Sequence, residues 1–361
     1  MINVTKTYLP DREKYKSYID RIFDSGWLTN NGQLVKELEK RLSEYLQVEN
    51  LMLVANGTIA LQIAYKSLGI KGDAITTPFS FVATTSSLVW EGINPVFCDI
   101  DETLNITPKS ISEKINSNTK AIIPVHVFGN ACHADEMEEL ALKNNLKLVF
   151  DAAHAFGIRY KGKSILSYGD ASVLSFHSTK IFHTIEGGAI IFRKHEDLER
   201  ARLMINFGIA GYDIVTEQGI NGKMNEFQAA MGLCVLDDIS ILVERRKAVC
   251  LKYTKAFSDV EGITLQKLNQ DGDQNWAYFP VIFRSNEIRE KIFSRLKASD
   301  IFARRYFSPS LETLPYLTKT ERMPVSDRIT DTVLCLPVYE SLASEDQKKI
   351  IDIVLSAVHE D

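Results

Sequence analysis

The 361-residue chain has no pairing pattern for its cysteines: Cys98, Cys132, Cys234, Cys250 and Cys335 are scattered, odd in number and never spaced C-x-x-C. A disulfide framework is not expected, and reduced thiols suit a cytoplasmic setting. Long apolar runs are missing too. No stretch approaches the ~18 residues of a membrane span, and MINVTKTYLPDREKYKSYIDRIF has no apolar h-region, so neither a membrane partner nor a signal peptide is expected. Nor is there a basic excess. Lys plus Arg number 42 against 47 for Asp plus Glu, a formal charge of −5, so no nucleic-acid partner is expected. Internal repeats and low-complexity segments are lacking as well. What remains is a globular composition, 45% hydrophobic and 25% charged, long enough for two domains or one large domain with an appendage.

Between residues 51 and 193, short apolar runs alternate with amphipathic stretches. The runs are LMLVAN (51–56), AITTP (74–78), NPVFCDI (94–100), AIIPVHVF (121–128), KLVFDAA (147–153), ASVLSFH (171–177) and GAIIFR (188–193). Most are continuously apolar, as strands buried on both faces should be. TIALQIAYKSLG, SSLVWEG and ADEMEELALKNNLK read as helices between them. The pattern predicts an α/β fold, a wound, seven-stranded, mostly parallel sheet with ligands beyond the carboxyl ends of its strands. A long helical pattern over 225–257 would bridge to a smaller C-terminal α+β domain. That domain is expected to hold a strand around 275–283, a helix around 286–300, an extended stretch at 301–307 and a closing helix over 344–358. The boundary is placed between a large unit, 1–245, which includes two N-terminal helical segments, and a small one, 246–361.

Three local signals carry chemistry. Asn56-Gly57-Thr58 joins a strand to a helix, where a Gly allows close backbone approach and free N–H groups and the helix dipole favour an anion. At this turn neither the P-loop nor the dinucleotide fingerprint is spelled. An ordinary helix start with Thr58 as the capping residue explains the same letters. Asp151 closes the strand KLVFD, and a carboxylate buried there needs a cationic partner, such as a protonated pyridine nitrogen. A loop-capping or metal-binding Asp is the alternative, and His154 three residues on is either a ligand contact or a core histidine. The third signal is Lys180 in SFHSTK, following Ser175 and preceding Glu186-Gly187-Gly188. Desolvation at a sheet mouth lowers a lysine's pKa and makes its amine nucleophilic toward carbonyls, whereas an exposed loop lysine does nothing. In this order along one sheet, a phosphate cup, a strand-end Asp and a strand-end Lys match the needs of pyridoxal 5′-phosphate. Phe81 in TTPFSFVATT is placed to stack on a flat ring, or simply to pack in the core.

At these residues the chain resembles the DegT/StrS family of nucleotide-sugar aminotransferases, pyridoxal-phosphate enzymes of fold type I, the aspartate-aminotransferase-like architecture. The resemblance runs through GWLTNNG (26–32), NGTIAL (56–61), TPFSFVATTSS (77–87), PVFCDID (95–101), IPVHVFGN (123–130), DAAHAFG (151–157), SFHSTKIFHTIEGGAI (175–190), MNEFQAAMG (224–232) and LPVY (336–339). It implies that Lys180 is the catalytic, cofactor-bearing lysine and that Asp151 pairs with the ring nitrogen. It further implies that Gly57, Thr58 and Ser175 hold the phosphate, that Phe81 stacks on the ring, and that Asn221 reaches the phosphate of a partner subunit, so that a homodimer shares its active sites. No metal is implied. Two departures stand out. His154 occupies the usual place of a Gln that bonds the ring hydroxyl, and the usual N-Y-R-M reads Asn221-Gly222-Lys223-Met224, which removes an Arg grip. SFHSTK is most similar to the branch that makes dTDP-4-amino-4,6-dideoxyglucose, which implies L-glutamate as donor and a dTDP-linked keto sugar as acceptor for polysaccharide biosynthesis. Arg304, Arg305 and Tyr306 are candidates for the sugar-nucleotide cleft or for a solvated cluster.

Rival readings are a C3-aminating enzyme of the same family and a cofactor-binding regulator without turnover. A family dehydratase would replace Lys180 with His. A metal hydrolase built on His126, Cys132, His133, His154, His177 and His183 lacks H-E-x-x-H spacing.

Overall fold

A computed structural model describes residues 1–318 and 321–360. All seven apolar runs become strands of one sheet: β1 (Leu51–Val54), β2 (Asp73–Thr76), β3 (Asn94–Phe97), β4 (Thr119–Ile123), β5 (Lys147–Asp151), β6 (Ala171–Ser175) and β7 (Gly188–Phe192). Their order across the sheet is β1-β7-β6-β5-β4-β2-β3, and only β7 runs against its neighbours. The runs are continuously apolar because alternate side chains enter two different core layers. Met52, Val149, Val173 and Ile190 face one layer, while Leu51, Leu148, Leu174 and Ile191 face the other.

The helices flanking the sheet are α1 (Arg12–Ser25), α2 (Gln33–Leu46), α3 (Gly57–Ser67), α4 (Ala83–Trp90), α5 (Ala134–Lys143), α6 (His195–Met204) and α7 (Glu226–Phe257). Leu61 of α3 and Leu198 of α6 fill the first layer; Leu38 of α2, Met137 of α5 and Leu233 of α7 fill the second. α6 was not anticipated, because only Leu198, Ala201 and Met204 are buried among its charges.

A second, antiparallel sheet orders β8 (Ile263–Leu265), β9 (Pro280–Phe283) and β10 (Val333–Cys335) side by side. It packs with α8 (Asn286–Ala298) and α9 (Ser344–His359) around Phe283, Ile292, Leu334 and Val354. The 32-residue α7 runs from the first core, at Leu233, to this one, at Tyr253. The expected boundary at 245/246 falls inside α7, and Ile2–Asn3 pair in parallel with Ile301–Phe302 of the C-terminal half. The strand expected over 275–283 is shorter than its apolar run. Residues 275–279 are irregular because the Asn275 amide takes the carbonyls of His154 and Phe156, and Trp276 adopts a positive φ of 59°.

One buried acid joins the N-terminal helices to α7. Gly32, at the head of α2, offers no capping side chain, and Glu226 supplies the acceptor instead. Its carboxylate takes the Leu34 N–H at 2.8 Å and the Val35 N–H at 3.0 Å, and the residue is 2% exposed. Glu226→Ala is expected to cost about 2–4 kcal/mol by stranding both donors, measured as an earlier urea midpoint. An unmoved midpoint would show that α2 needs no such cap.

Candidate active site

The carboxyl ends of the strands gather the candidate residues. Asp151 is the last residue of β5 and Ser175 the last of β6, while Lys180 lies in the loop from β6 to β7. α3 begins where β1 ends, and the cap of that helix is Asn56, not Thr58. Its side chain accepts the Ile59 N–H at 2.9 Å, so Thr58 stands in the first turn with an exposed side chain. The helix start fits close against the sheet because two residues have no side chain. A Cβ on Gly57 would lie 2.9 Å from Ser175 Cβ, and one on Gly188 would lie 2.8 Å from the Asn56 carbonyl carbon. Gly57 and Ser175 are therefore immediate neighbours.

Asp151 is 5% exposed and receives only neutral donors. Oδ2 accepts the Thr84 hydroxyl at 2.7 Å, and Oδ1 accepts the Ala153 N–H at 3.2 Å. Thr84 spends its hydrogen on Asp151, so Ser80, 2.9 Å away, donates to Thr84 in turn. No cation among the described residues lies within ion-pair distance of the carboxylate. Burial pushes its pKa up, against the opposing pull of these donors and of the Lys180 charge.

Lys180 is partly buried, and crowding by protein atoms pushes its amine down to about 8, with Asp151 and Tyr306 pulling the other way. Its Nζ donates to the Tyr278 hydroxyl at 3.3 Å. His154 is 4% exposed, and its Nδ1 accepts the Phe128 N–H at 3.3 Å, which assigns the ring hydrogen to Nε2. Burial, and next the Lys180 charge, hold this imidazole well below the ordinary histidine range, so it stays neutral at physiological pH. It stacks on Phe307 at 5.6 Å and leans on Tyr278 at 4.8 Å. Lys180, His154, Ser175, Thr179 and Tyr278 line one narrow cleft.

The remaining candidates lie at its edge or away from it. Phe81 is 55% exposed at the approach to α4, three residues before Thr84. Asn221 is exposed and bridges Asn206. Its neighbour Lys223 donates to Asn206 at 3.1 Å and lines a separate cavity of about 350 Å³ with Asn30, Glu39 and Arg202. Tyr306 packs against Tyr278, with Arg304 over its ring, whereas Arg305 turns away to Glu290. Thr84, Ser80 and Tyr278 are site residues that the sequence does not single out: Thr84 lies inside α4 and Tyr278 just before β9, and nothing in the local pattern marks them. The string Gly157–Ser164, GIRYKGKS, does spell the P-loop consensus. It folds as a hairpin, Arg159–Tyr160 against Lys163–Ser164 with Lys161 and Gly162 at positive φ, and so lacks the strand-to-helix turn that cradles phosphate.

Residues 10–355 match the DegT/DnrJ/EryC1/StrS aminotransferase family. The chain belongs to that family. A dTDP-4-amino-4,6-dideoxy-D-glucose transaminase of Shigella dysenteriae is 42% identical over 99% of this chain and 98% of its own. A GDP-perosamine synthase of Escherichia coli O157:H7 is 30% identical over 92% of each chain. Among solved structures, DesI in the presence of its TDP-sugar product superposes with a TM-score of 0.94 at 33% identity, covering 99% of this chain and 93% of the other. As a member of this aminotransferase family the protein is a pyridoxal 5′-phosphate enzyme with the fold expected from its sequence. The site fits the cofactor. A buried carboxylate without a cation suits a protonated ring nitrogen, an Nε2–H suits a ring hydroxyl, and the close Gly57–Ser175 contact sets a serine beside a helix start whose N–H groups suit a phosphate.

Without the cofactor, the ionised Asp151 is a cost to the fold. Its folded pKa lies above the unfolded value, so the stability this group contributes is fully present below the unfolded pKa and is lost as pH rises through the folded pKa. Cofactor-free Asp151→Asn is expected to be more stable than the parent at neutral pH, on the order of 1 kcal/mol, with the gap closing in acid. Melting curves across pH check this; a less stable variant at pH 7 would show that the carboxylate is already compensated.

Proposed function

We propose that the protein transfers the amino group of L-glutamate to C4 of a dTDP-linked 4-keto-6-deoxyhexose, giving 2-oxoglutarate and dTDP-4-amino-4,6-dideoxy-D-glucose. The full-length likeness to the Shigella transaminase supports the substrate. The observation that supports the chemistry is an amine of lowered pKa, Lys180, lining a cleft with His154 and Ser175 and acting through space on a buried, uncompensated acid, Asp151. When bound, pyridoxal phosphate supplies a conjugated, protonated ring able to take up the electron pair left behind when a carbon gives up its proton.

The side chains of the protein do the rest. Asp151 holds the proton on the ring nitrogen, and the Ser80–Thr84 relay fixes the carboxylate that does so. His154 donates Nε2–H to the ring hydroxyl as a neutral group, so it orients the ring without adding charge. Ser175, Thr58 and the Gly57 N–H hold the phosphate, and Phe81 covers the ring from its exposed position. Lys180 is the base that takes the proton from Cα of glutamate and returns one to the sugar at C4. Asn221 completes the phosphate site of a partner copy in a homodimer, its exposure leaving it free to do so. Tyr306 lines the sugar-nucleotide side of the cleft. The same proposal divides the chain into units 1–245 and 246–361 on the strut of α7. It also places the reaction in the cytoplasm, within O-antigen or related polysaccharide synthesis, in keeping with five unpaired, buried cysteines. Among the described residues no helix is long and apolar enough to cross a membrane.

Lys180→Ala is expected to abolish turnover, and Asp151→Asn to slow it by several kcal/mol of barrier (on the order of a thousandfold or more). Steady-state assays with glutamate and the dTDP-keto sugar check both, and a near-normal rate for either removes that residue from the chemistry. NMR of the product locates the new nitrogen. Attachment at C3 would assign the protein to the C3-aminating alternative, and no glutamate-dependent half-reaction at all would favour a regulator.

A further inference from the structure

Tyr278 belongs to no strand, yet it is held firmly. It sits near the end of a strap, residues 266–279, that crosses from β8 to β9 over the large sheet. Amide side chains stitch this strap down together with a few backbone bonds, among them those at Lys267 and around Gly272. Gln266 donates to the Thr103 carbonyl at 2.8 Å, and Asn269 donates to that of Ala131 at 3.0 Å. Asn275 donates to the carbonyls of both His154 (2.8 Å) and Phe156 (3.1 Å) and accepts the Ala277 N–H at 3.2 Å. Three residues beyond this clamp, the Tyr278 hydroxyl meets Lys180 Nζ at 3.3 Å. Among the described residues it is the only side-chain hydrogen-bond partner that the amine has.

We propose that Tyr278 is the positioning residue of Lys180, its hydroxyl holding the amine at the cleft wall whenever the amine is free to take or give a proton. The inference rests on the reading of Lys180 as the proton-moving group. A lysine ends a flexible four-carbon stem, and a base must return to one place to meet the same carbon twice. The phenol supplies that place and accepts N–H from the ammonium, a charge-assisted bond stronger than its counterpart to the neutral amine. Other groups that act on the amine are Asp151 on β5 and Tyr306, both favouring the ammonium, and His154 beside them, held neutral. Behind Tyr278 lie Arg246 of α7 and Cys335 of β10. None of these changes when the phenol oxygen is removed, so a shift in the titration of Lys180 reports that oxygen.

The test titrates Lys180 in the cofactor-free protein by competitive labelling with acetic anhydride across pH, read by peptide mass spectrometry. Tyr278→Phe keeps the ring, and is expected to move the labelling midpoint down by about half a pH unit to one unit with the melting temperature preserved. Asn275→Ala keeps the phenol but unties the strap, and is expected to move it in the same direction by less. An unmoved or raised midpoint in Tyr278→Phe overturns the proposal; should that variant not fold, the same result in Asn275→Ala does so. If Lys180→Ala is inactive while these midpoints stay put, only the role of Tyr278 falls, whereas an active Lys180→Ala removes the reading beneath it.

Discussion

A carboxylate taken out of water must be repaid by a cation, by several strong donors or by protonation, and Asp151 receives too little of each from its own chain. It closes a central strand, so neither solvent nor a long basic side chain reaches it from within the sheet. Thr84 and a single backbone N–H are its bonded partners, and Lys180 acts on it only through space. The fold thus carries a buried acid that it leaves uncompensated, the kind of group a cationic heterocycle would neutralise. Keeping such a group forgoes stability in the empty fold, as functional sites commonly do.

The surroundings are arranged around that acid in a consistent way. The aromatic wall of Phe128, Phe307 and Tyr278 fixes the plane of His154, and the Phe128 N–H fixes its tautomer. Glycines at 57 and 188 bring the start of α3 against the end of β6, so the helix's free N–H groups and Ser175 share one corner. β7, the one antiparallel strand of the large sheet, returns the chain to that corner after the Lys180 loop and pairs between β1 and β6. Lysine, acid and helix start are held at the ends of four neighbouring strands of one sheet, β1, β7, β6 and β5.

Sequence made the sheet legible because burial on both faces writes an unbroken apolar run, and seven such runs became seven strands with no surplus. Asp151 and Lys180 were legible for a related reason: an ionisable residue just past an apolar run breaks the run's own logic. Thr84 and Tyr278 broke nothing. A threonine in a helix and a tyrosine before a strand are ordinary, and their roles come from contacts separated in sequence by 67 and 98 residues. The strap over 266–279 was likewise hidden, because side-chain amides have no period. The helix cap shows the same limit, since Asn56 and Thr58 both qualify by type and only backbone geometry chose Asn56. GIRYKGKS is the reverse case, a consensus string that Lys161 and Gly162, both at positive φ, turn into a hairpin.

The pairing of Ile2–Asn3 with Ile301–Phe302 bears on how the molecule is made. A ribosome delivers the amino end first, yet that end has no strand to join until residue 302 has emerged from the exit tunnel. The large sheet, complete in sequence at Phe192, is free to assemble long before then, as N-terminal units generally do during synthesis. The pairing of Ile2–Asn3 is therefore a late event that records the arrival of the C-terminal half.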